Sequence, residues 1–167
     1  MLTLNKLSTM FKKILLALLV LFVLIQFFRI DKTVPEFDRS KDFMEITQPV
    51  AEVREILTVA CYDCHSHETR YPWYSQVAPV SWWMKHHIDY GKKHLNFSEW
   101  GLYSEKKADH KLDECVEEVE EGRMPLNSYM WTHTDADLSK EQKNLLVDFF
   151  VGLRTGLSEN NFEDPDY

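Results

Sequence analysis

The sequence predicts an all-α chain, with one apolar helix near the N-terminus followed by a single small helical domain. Three observations lead there. An apolar run at residues 14–28 is flanked by Lys12, Lys13 and Arg29. Apolar side chains recur at spacings of three and four through several later segments. No alternation of strand-like and helix-like patterns occurs in the 167 residues. With the N-terminal segment set aside, roughly 135 residues remain, enough for one core and hardly for two.

Residues 1–30 read as a membrane anchor. Between its flanking cations the run is uncharged and interrupted only by Gln26. It is short for a bilayer, but Lys12, Lys13 and Arg29 extend its reach by snorkelling. A cleaved signal peptide is the alternative, and it would need a small-x-small site; Gln26, Phe27, Phe28 and Arg29 are all large. The lysines before the run leave that end in the cytoplasm and send residues 31–167 outside it. Charge is segregated in the same sense. The net charge is −8, yet the first thirty residues carry four cations and no acid, leaving 15 basic against 27 acidic residues from Asp31 onward. So acidic a surface repels phosphate backbones and excludes nucleic acid as a partner. Residues 31–48, with Pro35 and mixed charge, read as a tether that lets the domain stand off the bilayer.

The domain proper is expected at residues 49–156. Residues 49–60 form a helix with Val50, Val53, Leu57 and Ala60 on one face and Pro49 in its first turn. It runs straight into Cys61-Tyr62-Asp63-Cys64-His65. Two thiols at this spacing can each close a thioether to a haem vinyl group, and the next residue's imidazole then meets the iron. The expected cofactor is one covalently attached haem c, with Cys61 and Cys64 as attachment points and His65 as proximal ligand. A redox dithiol has the same spacing, but it follows a strand in a βαβ pattern, and a helix precedes this one. Zinc would need a second ligand pair, and Cys115 stands alone; it reads as a small buried hydrophobe.

Residues 67–100 carry Tyr71, Trp73, Tyr74, Trp82, Trp83, Tyr90, Phe97 and Trp100 among Pro72, Pro79 and Gly91. This is a loop-rich stretch with one helix, 81–93, whose aromatics serve as core and as walls for a flat cofactor. Residues 104–121 form an acidic helix with Ala108, Leu112, Cys115 or Val116, and Val119 inward. Next comes Met124-Pro125. A thioether is a soft neutral ligand that raises the potential of haem iron and suits electron transfer, and Pro125 keeps the segment out of a helix. Met124 is therefore the expected distal ligand, with Met130, a histidine such as His87, and an open position as the alternatives. The final helix opens on a capping box, Ser139 with Gln142, buries Leu145, Leu146, Phe149, Phe150 and Leu153, and is expected to stop at Gly156. Residues 157–167 read as a polar tail.

The order helix, C-x-x-C-H, helices, Met-Pro loop and capped terminal helix resembles a class I c-type cytochrome. More closely, Cys61 to Ser66, Thr69-Arg70-Tyr71-Pro72-Trp73-Tyr74, Pro79-Val80-Ser81-Trp82-Trp83 and Asn96-Phe97-Ser98-Glu99-Trp100, with the Met124-Pro125 loop, resemble the bacterial membrane-anchored haem-binding domain family. The likeness spans roughly residues 35–155, with Leu126 standing where that family usually has a second proline. It implies covalent haem c, an all-α fold and an envelope location.

Arg70 and Arg123 flank the two chemical loops and read either as propionate partners or as ordinary surface arginines, with Trp100 and Tyr71 as further donors. His67 reads as a surface or propionate contact. His86 and His87 lie on the middle helix, where either would serve as an acid–base residue beside a vacant iron position, while His94, His110 and His133 read as polar surface. The leading expectation is a single-electron carrier whose acidic surface docks redox partners through basic patches. A haem peroxidase, or the electron-input module of one, and a redox or gas sensor are the alternatives. A sensor would need a partner protein, because the tail before the apolar run is too short to form an output domain.

Overall fold

The computed structural model describes residues 2–160, and among them every regular element is helical. The polar tail expected at the C-terminal end lies mostly outside the described residues. The chain divides into two compact units: one takes residues up to Thr33 together with Tyr71–His87, the other Val34–Arg70 and everything from Ile88 onward.

The first unit is built on helix α1, Leu2–Ile25. Its stretch Lys6–Ile25 is long and apolar enough to cross a membrane, and none of it is buried within the protein. At 1.5 Å per residue these 20 residues span about 30 Å, the thickness of a hydrocarbon core. The helix starts well before the uncharged run and contains Lys12 and Lys13. Gln26 ends it with a purpose. Its side-chain amide donates to the Ala78 carbonyl (3.0 Å) and accepts from the Ala78 N–H (2.9 Å), so the one polar residue in the run clasps the Tyr71–His87 segment. Trp82 Nε1 donates to the Phe28 carbonyl at 2.7 Å, and Arg29 and Lys32 donate to Gln76 and Ser75.

The second unit holds the core. Helices α2 (Phe43–Thr47), α3 (Ala51–Ala60) and α4 (Tyr62–His65) follow one another closely. Helix α5, Val80–His94, begins in the first unit and ends in the second, with Lys92, Lys93 and His94 in its last turn, where cations suit the helix dipole. A 3-10 segment at Phe97–Leu102 leads to α6 (Glu105–Glu120), then α7 (Asn127–Met130) and α8 (Lys140–Asn160). Ser104 caps α6 through the Lys107 amide. The capping box of α8 is present, with Gln142 Oε1 accepting from Ser139 N–H and Ser139 Oγ from Gln142 N–H. Leu146 and Phe150 of α8 are fully buried, and Arg154 ties its far end to Asp109 and Asp113 on α6.

Two expectations change here. Helix α8 runs through Gly152 and Gly156 to Asn160. A glycine inside a helix costs only about 1 kcal/mol against alanine, too little to stop a helix in progress. The segment 31–48 is also more than a tether. Asp42 caps α2 by accepting from the Met44 N–H, and Phe43, 0% exposed, sits among Phe97, Trp100, Phe149 and Phe150 with ring centroids 4.8–6.3 Å away. One turn of helix is too short to show a period in sequence, so these core residues were hidden in a polar-looking stretch.

Candidate functional site

Helix α3 delivers Cys61 at its C-terminal end, and the one-turn helix α4 carries the rest of the motif. The two middle residues of the motif hold this turn in place. Tyr62 is buried, stacks on Phe97 (5.3 Å, 7° between planes) and donates to Asp42 at 2.8 Å. Asp63 is buried too, and accepts from the Tyr129 hydroxyl (2.8 Å), the Arg70 N–H (2.9 Å) and Arg70 Nε (3.2 Å). With x-x facing inward, Cys61 and His65 are left at the wall of a cavity.

That cavity has a volume of about 440 Å³, within the range of small-molecule and cofactor sites at about 300–1,000 Å³. Cys61, His65 and Met124 all line it, with Leu95, Phe97, Val119, Pro125, Leu138, Leu146 and Phe150 as apolar wall. Cys64 is half-buried in α4 beside His65 and is not part of the lining. His65 Nδ1 lies 3.1 Å from the Leu95 carbonyl, an acceptor only, so Nδ1 carries the proton and Nε2 keeps its lone pair. Burial holds the imidazole pKa below its ordinary value, which favours the neutral ring a metal requires. Helix α5 makes room for it at Gly91, where an added Cβ would stand 2.8 Å from the Cys64 carbonyl oxygen and 3.4 Å from His65 Cε1.

Met124 reaches the cavity through the end of α6. Gly122 adopts φ +68°, and the Arg123 and Met124 amides both donate back to the Glu118 carbonyl, at 2.9 and 3.0 Å. This is the left-handed helix termination that glycine permits without steric cost. The Met124-Pro125 peptide bond is cis.

Burial pushes the Cys61 thiol up to about 12 and the Cys64 thiol to about 11. A redox dithiol works through a thiolate of lowered pKa, and burial shifts both of these thiols in the opposite direction. Cys115 lines the same cavity among apolar neighbours, and burial raises its pKa as well.

Other residues fall differently from expectation. Arg70 is spent on Asp63 and on the Thr58 carbonyl and does not line the cavity. Arg123 does line it, but its guanidinium is held by Glu117, Glu118 and Glu121. Trp100 is buried against Phe43 rather than at the site, and Tyr71 belongs to the first unit, as do His86 and His87. His67 is buried instead of exposed, 3.0 Å from Glu99 Oε1. His94, read as surface, lines the cavity with its ring 4.3 Å from that of Tyr90. The support from Leu95, Gly91 and Tyr129 escaped notice in the sequence; a lone glycine within a helical pattern was the one available sign of close packing.

A neutral imidazole, a thioether and a thiol around a largely apolar cavity in an all-helical unit define a class of site fit for a metal-bearing cofactor. The family model for the haem-binding domain matches residues 20–151, and the chain belongs to that family. It is a haem-binding protein, and among the described residues one helix is apolar enough to span a membrane. No curated protein and no solved structure matches the chain.

Proposed function

We propose that the chain carries one haem c, attached through Cys61 and Cys64 and with its iron held by His65 and Met124, and that it passes single electrons at the outer face of a bacterial cytoplasmic membrane. The observation that carries this reading is His65, whose Nδ1 is committed to the Leu95 carbonyl in a cavity it shares with Cys61 and Met124. The haem, when bound, supplies a one-electron couple. The chain's own residues orient it and keep water away. Leu95 and Gly91 set the tilt of the proximal imidazole, the apolar wall from α6 and α8 excludes solvent, and the Gly122 turn presents a soft sulfur that favours the reduced metal. The sequence order of helices around the motif supports a class I cytochrome c-like arrangement. The anchor α1, with its cations toward the N-terminus, supports single-pass insertion with the domain in the periplasm. The net negative charge of residues 31–167, with 15 basic against 27 acidic side chains, supports docking to redox proteins with basic patches.

Denaturing electrophoresis with a haem stain tests attachment. The matured chain is expected to stain, Cys61→Ala with Cys64→Ala to lose the stain, and a colourless wild-type band would remove the covalent reading. Carbon monoxide then separates carrier from peroxidase or sensor. The ferrous wild type is expected to ignore the gas and Met124→Ala to bind it; rapid binding by the wild type would shift the assignment to one of those two.

A further inference from the structure

The Tyr71–His87 segment gathers a set of large side chains that no core claims. Trp73 is 80% exposed, and Trp82, Trp83 and Val80 also show large apolar surface, while Phe27 and Phe28 just past the anchor are equally bare. Elsewhere in a water-soluble domain so many exposed aromatics in one place would be a liability. Their location explains them. The segment is clasped to the end of α1 by the paired Gln26–Ala78 hydrogen bonds, by Trp82 Nε1 on the Phe28 carbonyl, and by Arg29 and Lys32 on Gln76 and Ser75. Each contact falls within the eight residues that follow the apolar stretch Lys6–Ile25.

We infer that Tyr71–His87 is a membrane-interface collar, its tryptophans seated at the boundary between phospholipid headgroups and acyl chains around the outer end of α1. The inference rests on α1 spanning the bilayer as proposed above. Indole and phenol rings favour this layer because an apolar body and a polar N–H or O–H can each find a matching environment there. The cations agree: Arg29 and Lys32 stand at the level where lipid phosphates lie, and exposed apolar side chains run along the anchor to Leu24 and resume at Phe27 and Phe28. Gln26 has the same logic, since its amide at the edge of the hydrocarbon is satisfied by backbone that the collar brings to it. The occupant of this face is thus the lipid surface itself.

The full haem-loaded chain in phosphatidylcholine vesicles tests this. Bromine quenches indole emission at short range, so lipids brominated near the glycerol end of their chains are compared with lipids brominated near the terminal methyl groups. Stronger quenching by the shallow bromines, lost for the most part in a chain carrying Trp73→Phe, Trp82→Phe and Trp83→Phe, is the expected result. Trp73→Phe alone gives a partial loss, and because that side chain is almost bare its replacement leaves the fold intact. Emission indifferent to bromine in a chain that resists alkaline carbonate extraction would overturn the collar and leave the anchor standing. Extraction by carbonate would overturn the anchor first, and the collar with it.

Discussion

His65 acquires its chemistry from atoms thirty residues away in the chain. The Leu95 carbonyl decides its tautomer, and Gly91 decides how closely α5 can approach it. Gly91→Ala sets two effects against each other. Helix propensity would gain about 1 kcal/mol, but the new Cβ meets the Cys64 backbone carbonyl, which cannot swing aside, and overpacking costs about 1–3 kcal/mol. The clash is expected to win, lowering the denaturant midpoint and the fraction of chain that retains haem. A variant more stable than wild type would show that α5 has slack. Asp42 offers a pH test. Burial raises its pKa above the ordinary 3.8, opposed by hydrogen bonds from Tyr62 and the Met44 amide and reinforced by Glu68 and Glu45. The folded state therefore holds the proton more tightly than the unfolded chain. What this group adds to stability is full below 3.8 and is lost as pH rises through the elevated folded value. Asp42→Asn keeps the acceptor and removes the charge, so its midpoint should match wild type in strong acid and exceed it increasingly toward neutrality. A difference that stays flat with pH would mean Asp42 does not titrate in that range.

Helix ends rather than helix middles place the cavity-lining side chains Cys61, His65 and Met124. The capping box of α8, the apolar stripes of α6 and α8, and the bounds of α5 to within one residue were legible, because periodicity and caps depend on neighbours three and four positions apart; the stripe of α3 was read only in part, since Val50 is exposed and Ile56 is buried in its stead. Termination was harder to read: Gly156 lies inside a helix, whereas Gly122 ends one. The difference is a backbone at φ +68°, which follows from where the chain must turn to bring Met124 to the cavity. Gly122→Ala puts a Cβ in that left-handed conformation and is expected to cost about 1 kcal/mol. It should also loosen the Met124 loop, read as partial carbon monoxide binding by the ferrous protein where wild type shows none. Unchanged ligation and stability would show that the turn does not position Met124. The short helix α2 was missed for the opposite reason, since five residues display no period and Phe43 is recognised as core only once Phe97, Trp100 and α8 surround it.

Across the whole chain, charge and hydrophobicity are divided between its ends, with a cationic apolar helix followed by an acidic domain. If partners dock electrostatically, electron exchange with a basic single-haem cytochrome should slow steadily as salt rises, the screening length falling from about 10 Å at 0.1 M to about 3 Å at 1 M. A rate independent of salt would point to apolar docking instead. The motif Cys61 to His65, the apolar N-terminal helix and the helical class are written locally, because each depends on residues within a few turns of one another. Which carbonyl steadies the imidazole, why Arg70 serves Asp63 and not a propionate, and what Gln26 is for are matters of chain segments 7 to 52 residues apart. Such contacts exist only after elements have packed, since burial, not sequence spacing, dictates which polar atoms must find each other.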